Sequence, residues 1–184
     1  VILNAAREPE IADLADFLCS CGAHISGAGS GEITVCGMKK LHSAEHTVIP
    51  DRIIASTYMA AAAVTGGDVR ILDTRAEHIT PVIPVFEQAG CKVDCGENSV
   101  HISAPVRLRS VQTVRTMPYP GFPTDSQAAV MAMLSVAHGT SVMIENIFEN
   151  RYRHVRELCR LGADIMTEGK VAVIKGVETL TGAC

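Results

Sequence analysis

The feature that most limits how this chain folds is that it repeats itself. Residues 21–25 read Cys-Gly-Ala-His-Ile, and residues 161–165 read Leu-Gly-Ala-Asp-Ile. Each string closes a helix-periodic run on a glycine and leads into two short strand patterns. The closing glycines, Gly22, Gly90 and Gly162, stand 68 and 72 residues apart. In the first copy Ile11, Leu14, Ala15, Leu18 and Cys19 share one helical face behind Glu8-Pro9-Glu10, a favourable helix start, and strands follow at 23–26 and 32–36. The second copy predicts a helix over 79–89 and strands at 91–95 and 99–103. The third predicts a helix over 154–161 and strands at 163–167 and 171–175. The later two copies have an extra helix and strand in front. Asp51 is placed to cap a helix ending at Gly66-Gly67, with a strand at 68–72. Asp125, 74 residues further on, is placed to cap a helix ending at Gly139, with a strand at 141–145. The chain therefore reads as two full α/β repeats and the tail of an earlier one. Val1-Ile2-Leu3 reads as a strand already under way, as in a chain cut from something longer.

Composition narrows the class. Apolar residues make up 47% of the 184 positions and charged residues 20%, which excludes a disordered chain and allows a sizeable core. With 3 Tyr, 4 Phe and no Trp, that core must be aliphatic. The run Ala60 to Ala63 suits helices closely walled in by sheet rather than helices lying on a solvated surface. A net charge of −4 leaves no basic footprint for nucleic acid. No run approaches the ~20 apolar residues that span a membrane. Seven cysteines without a disulfide rhythm, and a start carrying Arg7, Glu8 and Glu10 rather than a leader, predict reduced thiols and a cytoplasmic protein.

Several constellations are candidates for chemistry. Asp125 follows the stiff Pro118-Tyr119-Pro120-Gly121-Phe122-Pro123 loop and Thr124, and serves either as a plain helix cap or as a base for a bound hydroxyl. The run from Glu145 to Arg156 is dense in polar groups, broken by the apolar pair Ile147-Phe148. It reads either as a solvated loop leading into a helix or, through Asn150-Arg151-Tyr152-Arg153-His154, as a donor set for an anion or nucleotide. In Asn4-Ala5-Ala6-Arg7-Glu8 the arginine is free to hold a ligand anion or to pair with Glu8 or Glu10. Metal readings are weak. His42-x3-His46 has no clear third ligand, Cys19-x-Cys21 diverges, and Cys91 and Cys95 on one strand would lie about 13 Å apart. No metal and no cofactor is expected, and no phosphate-binding, dinucleotide-binding or nucleophile-elbow motif is present.

Four strings taken in order carry more than any one of them: Asn4-Ala5-Ala6-Arg7-Glu8-Pro9-Glu10-Ile11, Ile49-Pro50-Asp51-Arg52-Ile53, Phe122-Pro123-Thr124-Asp125, and Glu149-Asn150-Arg151-Tyr152-x-His154-Val155. Together they closely resemble the UDP-N-acetylglucosamine enolpyruvyl transferases, over essentially the whole chain but only the middle to late part of that family's length. The shikimate-pathway enolpyruvyl transferases share the fold without matching these strings. The resemblance implies an incomplete inside-out α/β barrel of βαβαββ units. Residues 1–49 would finish one domain, and residues 50–184 would supply two of the three units of the other. It implies transfer of the enolpyruvyl group from phosphoenolpyruvate to the 3-hydroxyl of UDP-N-acetylglucosamine, a cytoplasmic step that opens peptidoglycan synthesis and so serves cell shape and division.

By the same resemblance Asp125 is the base, Ile147 and Phe148 lie at the uracil and sugar site with Arg151 beside them, and Asn4, Arg7 and Thr124 are further candidates. The reactive loop and the lysine and arginine residues that grip phosphoenolpyruvate fall outside this chain, so little turnover is expected from it alone. The chain departs from the family at Ser126, where a larger apolar residue is common, and at Ile54 and Ser56, where Glu and Gly are frequent. Unfinished repeats also predict self-association through open barrel edges. A stand-alone, non-catalytic nucleotide-sugar binding module is the alternative.

Overall fold

In the computed structural model, which describes residues 1–183, contacts gather the chain into two compact units. One comprises residues 1–50 with 118–120, the other residues 51–117 with 121–183.

The first unit opens with strand β1 (Ile2–Leu3) and helix α1 (Pro9–Ser20), with Pro9 in the first helical turn. Gly22, at φ +96°, turns the chain out of α1 into β2 (His24–Ser26) and β3 (Glu32–Cys36). The three strands form a sheet in the order β1-β3-β2, antiparallel throughout. His46 reaches back to Asp13 at 2.9 Å, and the His42 ring sits against Gly22.

The second unit starts at helix α2 (Arg52–Val64). Asp51 caps it as expected, its Oδ1 accepting from the N–H groups of Ile53 (2.7 Å) and Ile54 (3.1 Å), a contact worth about 1 kcal/mol. β4 (Asp68–Leu72) follows. The single helix expected over 79–89 is instead two short ones, α3 (Ala76–Ile79) and α4 (Ile83–Gln88). Two prolines explain the break. Pro81 falls between the helices, and Pro84 is tolerated only because it lies in the first turn of α4. Gly90, at φ +99°, then leads into β5 (Lys92–Cys95) and β6 (Ser99–Ser103).

The last copy runs β7 (Thr113–Arg115), a 3-10 turn (Thr124–Ser126), α5 (Gln127–Leu134), β8 (Thr140–Ile144), α6 (Arg153–Arg160), β9 (Asp164–Glu168) and β10 (Val171–Lys175). That is a complete βαβαββ unit. Its sheet order is β7-β8-β10-β9, with β7 parallel to β8 and the other pairs antiparallel. The middle copy gives β4-β6-β5. Sequential repetition is thus spatial repetition: β1-β3-β2, β4-β6-β5 and β8-β10-β9 share one topology.

The second unit's core is aliphatic and sulfur-rich, as the composition requires. Met59, Phe86, Val130, Met131 and Met143 are fully buried, and Ala55, Ala60, Ala62 and Ala63 let α2 pack closely within it. Burial of α2 is one-sided, however, because Ile54 and Tyr58 stay more than half exposed. The outer face of the last sheet is apolar too: Val173 is flanked in register by Val142 and Met166, and Met166 is 70% exposed. All six described cysteines are free, with Cys21 and Cys91 buried; Cys184 lies outside the described residues.

The end of β10 locks onto the turn after α5. Gly176 donates to the Gly139 carbonyl (2.9 Å) and Val177 to that of Ser135 (2.8 Å). A methyl group on Gly176 would fall inside the van der Waals shell of the Ala137 carbonyl oxygen, a backbone atom that cannot swing away. Gly176→Ala should therefore destabilise by about 1–3 kcal/mol or prevent folding, whereas Gly37→Ala, where a methyl group meets nothing within 4 Å, should leave the melting temperature nearly unchanged. Thermal melting by circular dichroism compares the two.

Candidate functional site

The last repeat gathers five of the seven singled-out residues: Thr124, Asp125, Ile147, Phe148 and Arg151. Asp125 is not the helix cap that its position suggested. Pro123 takes the extended conformation that precedes a helix (φ −73°, ψ 136°), and the chain enters a 3-10 turn at Thr124. Within that turn the Ser126 N–H bonds to the Pro123 carbonyl at 3.2 Å, and the Gln127 N–H bonds to that of Thr124. With those donors satisfied by backbone, the Asp125 carboxylate is free to point away, and it meets Arg151. Nη2 of Arg151 donates to Oδ1 at 2.6 Å, with the two side chains 39% and 53% exposed. A pair this exposed adds at most about 1 kcal/mol of stability; its consequence is orientation.

Arg151 is itself oriented. Its guanidinium lies 5.1 Å from the centre of the Phe148 ring, stacked as a cation over an aromatic face. Phe148 is half exposed and Ile147 36% exposed, an unusual outlay of apolar surface beside a carboxylate. Phe148, Glu149, Asn150, Arg151, Tyr152 and Lys170 line much of a depression of ≈ 280 Å³. Asn150 adopts a left-handed conformation (φ 55°), which turns the chain between Phe148 and the start of α6. Below it the Tyr152 hydroxyl lies 3.0 Å from the Met143 carbonyl and 3.1 Å from that of Lys170; burial, with the Glu145 charge second, pushes this phenol up to about 12. Burial also lowers the His154 imidazole, and its ring stands edge-on to Tyr152.

Beneath the surface lies a residue that the sequence put both at the end of a strand and at the head of a polar run, and did not single out for a role. Glu145 is 1% exposed. Its Oε1 accepts from Thr116 Oγ1 (2.9 Å) and from the N–H groups of Ile147 (2.8 Å) and Phe148 (3.1 Å). Its Oε2 accepts from Thr124 Oγ1 (2.8 Å) and Gln127 Nε2 (3.1 Å). Burial alone would raise this carboxyl, but the Phe148 N–H, the Thr124 hydroxyl, the Ile147 N–H and the Thr116 hydroxyl outweigh it and hold the group below its ordinary value. The sequence signal was the strand period. Ser141, Met143 and Glu145 alternate on one face, and the first two are core residues.

On the other side of Asp125, Ser126 Oγ bonds to Ser56 Oγ at 2.7 Å, both side chains buried. These are two of the positions at which the chain departs from the family pattern, 70 residues apart in sequence and in contact in space. The neighbours of Asp125 are thus pinned from both sides. Asn4 and Arg7 belong to the other unit. There Asn4 has a left-handed backbone (φ 54°), and the Arg7 guanidinium covers Gly31, where a methyl group would come within 3.0 Å of it. Among the described residues no group of three or more His, Cys, Asp or Glu is placed to hold a metal ion, and no helix is long and apolar enough to cross a membrane.

The chain is similar to the UDP-N-acetylglucosamine 1-carboxyvinyltransferase of Geotalea daltonii, 50% identical over 183 residues, and to enzymes 1 and 2 of that name from Caldanaerobacter subterraneus subsp. tengcongensis, 52% and 49% identical over 183 residues. In each case all of this chain is covered but only 44% of the relative, so the chain spans less than half the length of the proteins it matches. Among solved structures it shares its fold with the enolpyruvyl transferase NikO from Streptomyces tendae (TM-score 0.81, 24% identity, 95% of this chain and 42% of that one). It also matches EPSP synthase from Acinetobacter baumannii (TM-score 0.56, 16% identity, 94% and 40%). Those folds bear out the incomplete barrel of βαβαββ repeats. All of residues 1–184 match the EPSP synthase (3-phosphoshikimate 1-carboxyvinyltransferase) family, and the chain belongs to it.

Proposed function

We propose that this chain is part of a transferase that moves the enolpyruvyl group from phosphoenolpyruvate to the 3-hydroxyl of UDP-N-acetylglucosamine, the cytoplasmic reaction that commits the sugar to peptidoglycan. The observation that carries the reading is the half-exposed Asp125 carboxylate gripped by Arg151 beside the exposed Phe148 ring, in a chain about half identical to enzymes of that name. The arrangement suits a nucleotide sugar. Ile147 and Phe148 offer an apolar shelf for a planar base or a sugar face, and Arg151 offers a forked donor to an anionic or carbonyl oxygen.

In the reaction the sugar 3-oxygen forms a bond to C2 of phosphoenolpyruvate as Asp125 takes the hydroxyl proton and C3 gains one. Loss of a C3 proton and of phosphate then restores the double bond. Arg151 keeps the carboxylate aimed before the sugar binds, and arrival of the 3-hydroxyl gives it a second partner. The groups that hold phosphoenolpyruvate and exchange the C3 proton belong to the rest of the transferase, and residues 1–49 close its other domain. The isolated 184 residues should show no measurable phosphate release.

Two substitutions in the complete transferase separate the roles. Asp125→Asn should lower kcat by about 10²–10⁴-fold while leaving the KM for UDP-N-acetylglucosamine within a few-fold, as expected for loss of a general base. A kcat within twofold of the parent would remove the assignment. Phe148→Ala should act the other way, raising the KM for the nucleotide sugar roughly tenfold or more by loss of stacking area, about 1–3 kcal/mol, with a smaller change in kcat. Steady-state phosphate release at varied sugar concentration reads both.

A further inference from the structure

We infer that Glu145 is a positioning residue for this reaction, its two carboxylate oxygens tying the turn that bears Asp125 to the segment that bears Ile147 and Phe148. The inference deepens the proposed function and rests on it.

The division of labour lies in the hydrogen bonds. Oε2 faces the catalytic turn and receives the Thr124 hydroxyl and the Gln127 amide, one on each side of Asp125 in sequence. Oε1 faces the shelf and receives the consecutive backbone N–H groups of Ile147 and Phe148. Thr116 completes the assembly, donating its hydroxyl to Oε1 and accepting the Asn146 N–H at 2.8 Å. Thr116 is fully buried and Gln127 is 1% exposed, so solvent does not replace these partners.

Five donors converge on one group, and only a carboxylate offers two acceptor atoms with no donor of its own. A neutral amide would set its NH2 group against the Thr124 hydroxyl and the Gln127 amide, or against two backbone N–H groups. Glu145 sits at the floor of the depression beside Phe148 but is only 1% exposed, and both its carboxylate oxygens are taken by protein donors, so it acts through the residues it holds. The Asp125 carboxylate is bonded to Arg151, while Glu145 holds the residues on either side of it in sequence. What Glu145 fixes is the place of the turn, with the Ser56–Ser126 hydroxyl pair as the opposite anchor. Displacement of a catalytic group by about 1 Å is enough to cost on the order of 10²-fold in rate.

The test compares Thr124→Val, Thr124→Ser and Glu145→Gln in the complete transferase, with kcat and the KM for UDP-N-acetylglucosamine measured for each. Thr124→Val deletes only the hydroxyl bonded to Oε2, at a half-buried site where valine fits the space. Its kcat should fall at least tenfold, with the KM for the nucleotide sugar within threefold. Thr124→Ser, which keeps the hydroxyl, should return kcat to within threefold of the parent. Glu145→Gln should show the same loss of kcat, and if it does not fold, the Thr124 pair decides. A Thr124→Val enzyme with kcat within twofold of the parent overturns the inference, as does a loss that serine does not repair. The proposed function is judged separately through Asp125→Asn. An inactive Asp125→Asn beside an active Thr124→Val leaves the base in place and removes only the positioning role. A fully active Asp125→Asn removes both.

Discussion

A carboxylate that is 1% exposed stays ionised only where the protein replaces its water, and at Glu145 the replacement comes from three separate stretches of chain. Thr116 lies just past β7, Thr124 and Gln127 in the 3-10 turn and the start of α5 that continues it, and Ile147 and Phe148 after β8. Withdrawing any one of them leaves a buried charge less fully satisfied, a penalty on the order of 1–3 kcal/mol. The donors therefore reinforce one another. That cooperativity fixes the relation between the β7–α5 connection and the loop after β8, the two places where the site residues stand. A buried apolar residue at 145 would fill the space without specifying which loop conformations surround it.

The repeat supplies the frame, and divergence within it supplies the site. The residue directly after the first strand of each β-β-β sheet is polar in all three copies: Asn4, Asp73 and Glu145. Asn4 and Asp73 are exposed and adopt left-handed backbone conformations, φ 54° and 51°. Glu145 does not. It turns inward, continuing the buried alternation of Ser141 and Met143. One topological position thus serves as a surface turn in two copies and as an internal hub in the third. The longer side chain is what allows it, because its carboxylate lies far enough from the strand to reach Thr124 and Gln127.

Much of this was legible in the sequence, and what was not has physical causes. The glycine-closed helices and the paired strands after them were readable because each depends on local chemistry: Gly22, Gly90 and Gly162 all adopt positive φ (96°, 99° and 93°), where other residues are strained. The split at Pro81 was readable in principle, but the apolar period from Ile79 to Ala89 masked it. The family followed from four strings of residues, whereas the site's organisation did not. Hydrogen bonds such as Ser56 to Ser126 and Thr116 to Glu145 link residues 70 and 29 positions apart. Only tertiary packing brings them together. Glu145 stood both at the end of the strand 141–145 and at the head of a polar run, and its burial follows the strand period.

The two aspartates that head the repeat helices show how one residue decides between structure and chemistry. Asp51 follows Pro50 directly, takes the extended cap conformation (φ −73°, ψ 109°) and spends its carboxylate on the N–H groups of Ile53 and Ile54. In the later copy Thr124 stands between Pro123 and the aspartate. Pro123 then occupies the cap conformation, and Asp125 slides into the first turn, where its side chain projects sideways and backbone carbonyls already serve the N–H groups it would have taken. A single added residue frees the carboxylate from the helix. The same residue secures the turn, because the Thr124 hydroxyl is bonded to Glu145. Freedom for Asp125 and restraint for the backbone beneath it thus come from one position, which is the combination that the base role proposed for Asp125 requires.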